Sequence, residues 1–208
     1  SACMMRISKI GSYLFHPVWI PSIFIFFVFF RIKTSVYALL LSPLQKYVLL
    51  ASVFCYTAVV PLTVLWLAKR AAWIDSFELK DLKQRKIVYS LLIIYYIVIA
   101  QFWNSWEYLH LIRTIIYALS LSLFTIVVFL NWHSISTHMA GMGILTAGLL
   151  FFLNPIFDSS FISVLACFIL SGFVAVFRLE LKAHSENEIY TGYLTGIGIA
   201  LISFYAFS

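Results

Sequence analysis

His184 stands six residues after Arg178 and four before Glu188, in a polar strip, 178–188, wedged between two stretches apolar enough to be membrane spans. If a helix covers the second interval, Glu188 shares a face with the imidazole. It can then accept the proton of one ring nitrogen and leave the other as a nucleophile. A second strip, Ile135-Ser136-Thr137-His138, opens another apolar run, and a third, 80–85, carries Lys80, Lys83 and Arg85 ahead of one more. Arginine presents a planar fork of donors matched to phosphate oxygens, so Arg85 and Arg178 together suit a phosphoryl group and the charge that develops as it moves. In that chemistry His184 is the nucleophile, Glu188 its orienting carboxylate and His138 the general acid that protonates the departing oxygen. Ser136 and the first backbone N–H groups of the run starting near 135 are uncharged donors at a helix amino terminus, a natural seat for an anion.

The elements that must position these groups follow from composition. The chain has 208 residues, of which 63% are hydrophobic, 18% aromatic and 11% charged, against roughly 25% charged in an ordinary soluble domain. With a mean hydropathy of +1.00, the chain can hide its apolar surface only in lipid, where a spanning helix needs about 20 residues and satisfies its own backbone. The expectation is a single integral membrane domain over 1–208, all-α, a polytopic transmembrane helical bundle of about six to seven spans. Apolar runs between charges place the candidates at 13–30, 47–68, 87–103, 109–130, 135–153, 161–177 and 189–207. Trp103, Trp106 and Trp132, with Tyr47 and Tyr108, fall near proposed span ends, where amphipathic rings favour the headgroup zone. The first apolar segment reads as a true span, too long for a cleavable leader and without a small-residue cleavage site behind it.

Counting spans gives an independent check on the idea of one site. The strip at 80–85 follows two spans, that at 135–138 follows four and that at 178–188 follows six. All three therefore emerge on the face that carries the amino terminus. Ten of the fourteen Lys and Arg residues lie on that face, and eight remain against four opposite when Arg85 and Arg178 are set aside. The positive-inside rule then puts the site on the cytoplasmic side.

At this point the residues resemble a family, the lipid phosphatases of the phosphatidic acid phosphatase type 2 superfamily, whose three signatures run Lys-x6-Arg-Pro, Pro-Ser-Gly-His and Ser-Arg-x5-His-x3-Asp. In the third, Arg178 and His184 match at the family's spacing, with Phe177 for serine and Glu188 for aspartate. In the second, Ser136 and His138 match, with Ile135 for proline and Thr137 for glycine. In the first only Arg85 matches; Glu78 takes the lysine position and Lys86 follows in place of proline, with Lys80 and Lys83 the nearest lysines. The likeness covers about 77–196 and also looks like the variant carried by small membrane proteins of Bacteroidetes-type bacteria. It implies a phosphohistidine formed on His184, leaving-group protonation by His138, orientation of His184 by Glu188, and a phosphate cradle of Arg85, Arg178 and Ser136 helped by Lys80 or Lys83. It also implies catalysis with no metal and no cofactor, a lipid phosphate as substrate, and a bacterial inner membrane as the setting.

Other readings compete for the same residues. Ser185-Glu-Asn-Glu188 is also a capping box that would start the last span. Basic residues beside spans commonly bind lipid headgroups. His16, His110 and His133 belong to no constellation, and Cys3, Cys55 and Cys167 have neither disulfide nor metal spacing. Gly141, Gly143 and Gly148, with Gly192, Gly196 and Gly198, promise close packing of the two spans that follow the histidine strips. Pro17, Pro21 and Pro61 should start or kink helices, and 154–158 reads as a turn on the face opposite the site. Nothing resembles a phosphate loop, a dinucleotide fingerprint or a nucleic-acid surface. The expected function is therefore hydrolysis of a phosphate monoester or pyrophosphate end group on a lipid. The alternative is a catalytically impaired relative that binds lipid or scaffolds other membrane proteins, and a transporter is less apt because the polar strips gather at one face.

Overall fold

The computed structural model describes residues 2–77, 79, 81–105, 109–152 and 161–207. Every regular element among them is helical: α1 (Ala2–Leu14), α2 (Ile20–Phe26), α3 (Val36–Leu40), α4 (Pro43–Phe54), α5 (Val60–Arg70), α6 (Leu82–Phe102), α7 (His110–Phe129), α8 (Thr137–Phe152), α9 (Phe161–Glu180) and α10 (Glu186–Phe207). Six helical stretches among the described residues are long and apolar enough to cross a membrane. The protein is an integral membrane helical bundle.

Most boundaries have a local cause. Asp81 caps α6 by accepting from the Gln84 N–H at 2.9 Å. Ser42 and Gln45 close a reciprocal capping box at α4, with Pro43 inside the first turn. Pro17 and Pro21 begin a short tight turn and α2 respectively. The first apolar stretch runs from Met4 to Arg31, so it starts earlier than the expected 13–30 and is broken near His16.

Pro61 has a different effect. The helix loosens over Cys55–Val59 into a turn in which the Val60 N–H reaches back to the Cys55 carbonyl. Pro61 has no N–H, which strips the carbonyls of Thr57 and Tyr56, four and five residues before it, of a donor. Two hydroxyls from α6 fill the gap, Tyr96 to the Thr57 carbonyl at 3.3 Å and Tyr95 to the Tyr56 carbonyl at 2.8 Å. Without water in the bilayer core, a kink survives only where a neighbour satisfies the freed groups.

At the centre stands α8, buried at every position from His138 to Leu149. A helix apolar all round is one enclosed on all sides, and its 16 residues span about 24 Å, short of the roughly 30 Å of a bilayer core. It packs backbone to backbone on α10: a Cβ on Gly143 would lie 2.3 Å from the Tyr193 carbonyl, one on Gly196 2.1 Å from the Ala140 carbonyl, and one on Gly192 2.7 Å from the Ser136 carbonyl. These three glycines fulfil the packing expectation. Gly148 also meets α10, through Phe204, along with Phe24 of α2, whereas Gly141 meets Ile20 and Pro17 and Gly198 faces open space.

Two placements differ from expectation. Trp103 is buried, within ring-contact distance of Tyr56 and Phe102, because it follows the end of α6 packed against the core and does not face outward. Trp132, by contrast, is 78% exposed. Trp106, Tyr108 and the expected turn at 154–158 lie outside the described residues.

Candidate functional site

The polar strips meet through contacts at the helix ends. The Ser136 N–H donates to the Glu188 carbonyl at 3.2 Å, which ties the start of α8 to the start of α10. The Arg85 guanidinium, on the first turn of α6, donates from Nε to the Leu79 carbonyl at 3.0 Å and from Nη1 to Ser134 Oγ at 3.4 Å. Lys86 beside it donates to Asn131 Oδ1 at 2.6 Å. These bonds join the first turn of α6 to the segment leading into α8.

Arg85, His138, Arg178 and His184 all line one cavity of about 270 Å³. From the polar end the same cavity runs between α5, α6, α7 and α8, where Pro61, Leu65, Leu92, Leu119, Leu123 and Ile144 form its wall. Its walls therefore set two guanidiniums and two imidazoles of the sequence strips beside further polar groups and a largely hydrocarbon remainder.

His184 sits in the turn between α9 and α10, with a side chain only 7% exposed. Its Nδ1 lies 3.2 Å from Glu188 Oε2. A carboxylate accepts and does not donate, so the ring proton is on Nδ1 and Nε2 keeps its lone pair. The same Oε2 accepts the Ser185 N–H at 2.8 Å, which is the side-chain half of a capping box. The capping and orienting readings of Glu188 are thus one arrangement, in which the cap fixes the oxygen that fixes the imidazole. Burial holds the His184 pKa below the ordinary histidine value, the Arg178 charge adds to this, and Glu188 opposes it.

His138, one residue into α8, faces α1. Its Nε2 is 3.1 Å from the Ser12 carbonyl and 3.3 Å from Ser12 Oγ. Since a carbonyl only accepts, Nε2 carries the proton. Nδ1 is buried with no hydrogen-bond partner among the described residues. The His16 ring stands edge-on to that of His138, centroids 5.2 Å apart at 81°. Arg178 reaches the same place from α9, donating from Nη1 to Ser12 Oγ at 2.7 Å.

Of the other expected site residues, Ser136 is fully buried, and its hydroxyl has no partner among the described residues and does not line the cavity. Its carbonyl and Cβ face Gly192 of α10, which turns the side chain away; Thr137, the next residue, lines the cavity instead. Lys83 is exposed and off the cavity. Lys80 lies outside the described residues, as does Glu78.

Three lining residues were invisible to spacing arguments: Lys9, Ser12 and His16, all at the amino-terminal end. Lys9 and Ser12 are one helical turn apart, so they share a face of α1. That pair of polar groups on one face of the first helix was the available signal. His133 also lies near Glu188 and bonds Thr191 Oγ1 at 2.9 Å. His110 pairs instead with Arg113 at 2.8 Å. Among the described residues no cluster of three or more His, Cys, Asp or Glu side chains is arranged to hold a metal ion. Against known proteins, no family model matches the chain, and neither a curated protein nor a solved structure is similar to it.

Proposed function

We propose that the protein is a membrane lipid phosphatase, related to the phosphatidic acid phosphatase type 2 superfamily, that removes a phosphate monoester or pyrophosphate end group from an amphiphile. One observation carries the reading: the cavity joins a cationic, imidazole-bearing end to a hydrocarbon limb. An anionic head and an apolar tail on one molecule fit such a space, and neither alone would fill it. Phosphatidate-like lipids, polyprenyl pyrophosphates and lipid A phosphates share this chemistry.

The proposed reaction has two steps. His184 Nε2 attacks phosphorus, a P–N bond forms, and the P–O bond to the lipid breaks. The leaving oxygen takes a proton from His138. Water then attacks the phosphohistidine, His138 takes up its proton, the P–N bond breaks and inorganic phosphate leaves. Glu188 keeps the Nδ1 proton in place and offsets the positive charge of the phosphorylated ring. Arg85 and Arg178 neutralise the equatorial oxygens. Arrival of a dianion also supplies the opposite charge that a doubly protonated His138 needs. In this reading the chain sits in a bacterial inner membrane with the site on the cytoplasmic side, supported by the excess of Lys and Arg on the site's face.

Purified protein in detergent should release inorganic phosphate from at least one member of a lipid phosphate panel with no divalent metal added, and His184→Ala should abolish the release. If wild type and H184A are equally inert across the panel while both bind lipid, the chain is a lipid-binding scaffold.

A further inference from the structure

We propose that Ser12, on the amino-terminal helix, is the hydroxyl of the phosphate seat: it donates to a phosphoryl oxygen while its lone pairs hold Arg178 and His138 in register. The inference rests on the phosphatase reading and assigns it a binding residue outside its three sequence strips.

A serine hydroxyl has one proton and two acceptor positions. Arg178 Nη1 donates to Ser12 Oγ at 2.7 Å. The His138 Nε2 proton is fixed by the Ser12 carbonyl at 3.1 Å and is shared with Oγ at 3.3 Å. Both lone pairs are therefore engaged by the two cationic or ionisable groups of the site, and the hydroxyl proton is left over. Ser12 is only 8% exposed, yet it lines the cavity, so the partner for that proton is whatever the cavity holds. A phosphoryl oxygen is an acceptor of the required kind, and it would already be drawn to the neighbouring guanidinium.

The sequence enforces this placement. A Cβ on Gly11 would lie 2.2 Å from the Phe177 ring, so α1 is pressed against α9 at the residue before Arg178. Any larger residue at 11 would have to displace the Phe177 ring beside Arg178. Lys9, which lines the cavity one turn earlier on the same helix, adds a positive charge at the mouth. Ser136, the hydroxyl that the second sequence strip offered for this duty, faces α10 instead.

The test uses the full chain in detergent, with orthovanadate as a phosphate mimic and the panel lipid that gives phosphate release as substrate. Ser12→Ala should weaken vanadate binding, and raise KM, by about tenfold to a hundredfold, the effect of deleting a hydrogen bond to a charged group. Ser8→Ala removes an equally buried hydroxyl from the same helix that does not line the cavity, so it should match wild type and control for loss of packing. Ser12→Thr, which keeps the donor, should recover most of the binding. Wild type and S12A binding vanadate equally would overturn the assignment while leaving the phosphatase reading intact, as would S8A falling as far as S12A. A wild type that neither binds vanadate nor releases phosphate from the panel would overturn the phosphatase reading itself.

Discussion

Glu188 shows how one oxygen atom serves two ends. Its Oε2 takes both the Ser185 N–H and the His184 Nδ1 proton, so substitutions can separate the duties. Glu188→Gln keeps an acceptor for the cap and should leave thermal stability within about 1 kcal/mol, while Glu188→Ala loses the cap and costs about 1 kcal/mol more. Both should slow phosphate release by about a hundredfold, the scale of a lost orienting or electrostatic contact. The pH profile gives a separate reading. Since burial and Arg178 lower the His184 pKa, the neutral nucleophile persists to more acid pH than an ordinary imidazole would allow. The rising limb of kcat/KM should therefore lie below pH 6.5, near which an unperturbed histidine titrates. Glu188 is the group that opposes the lowering, so E188Q should move that limb further toward acid; a move toward neutral pH would contradict the assigned roles.

At this scale the sequence was informative where spacing was short. The intervals from Arg178 to His184 to Glu188 lie within one turn and its flanking helices, so local geometry could place them. Ser12 could not be placed that way, since its partners are 126 and 166 residues distant and only the packing of α1 on α9 brings them near. Ser136 misled for the opposite reason: its position at the start of α8 was legible, but its direction depended on Gly192 in another helix.

Among the elements, the helices from α6 onward were legible because apolar runs end at charges and caps. The expected 87–103, 109–130, 161–177 and 189–207 lie close to Leu82–Phe102, His110–Phe129, Phe161–Glu180 and Glu186–Phe207. The amino-terminal half was harder, since its breaks come from backbone chemistry inside apolar runs. Pro61 illustrates this, and it makes a prediction. Tyr96→Phe leaves the buried Thr57 carbonyl without its donor and should destabilise the fold by about 1–3 kcal/mol. Pro61→Ala restores an N–H to that carbonyl, so in a double-mutant cycle it should suppress much of the Tyr96→Phe loss, as read by thermal unfolding in detergent. Gly196→Ala is the sharper insult. Its Cβ would meet a backbone carbonyl, which cannot turn aside, so α8 and α10 must part at a cost of about 1–3 kcal/mol or more. Phosphate release should fall with it, because the same helix pair carries His138 and the cap beside His184.

For the whole molecule, burial divides the helices into a centre and a ring. In the most apolar stretch of α7 56% of the residues are buried, against 17% in α6 and 22% in α9, so the latter two are the more outward-facing. The expected gathering of the polar strips at one end is seen in the cavity they line. Composition made the membrane setting plain, but it could not reveal which helix would be enclosed, because an enclosed helix and a lipid-facing one are equally apolar.

The enclosure of α8 has a consequence for how the protein meets membranes of different thickness. Hydrophobic mismatch acts on helices that touch acyl chains, at fractions of a kcal/mol for each ångström. From His138 to Leu149, α8 is buried within the bundle, so a thicker or thinner bilayer acts on the surrounding helices and reaches His138 only through them. Reconstituted into vesicles of progressively longer acyl chains, the protein should lose thermal stability well before its turnover rate changes.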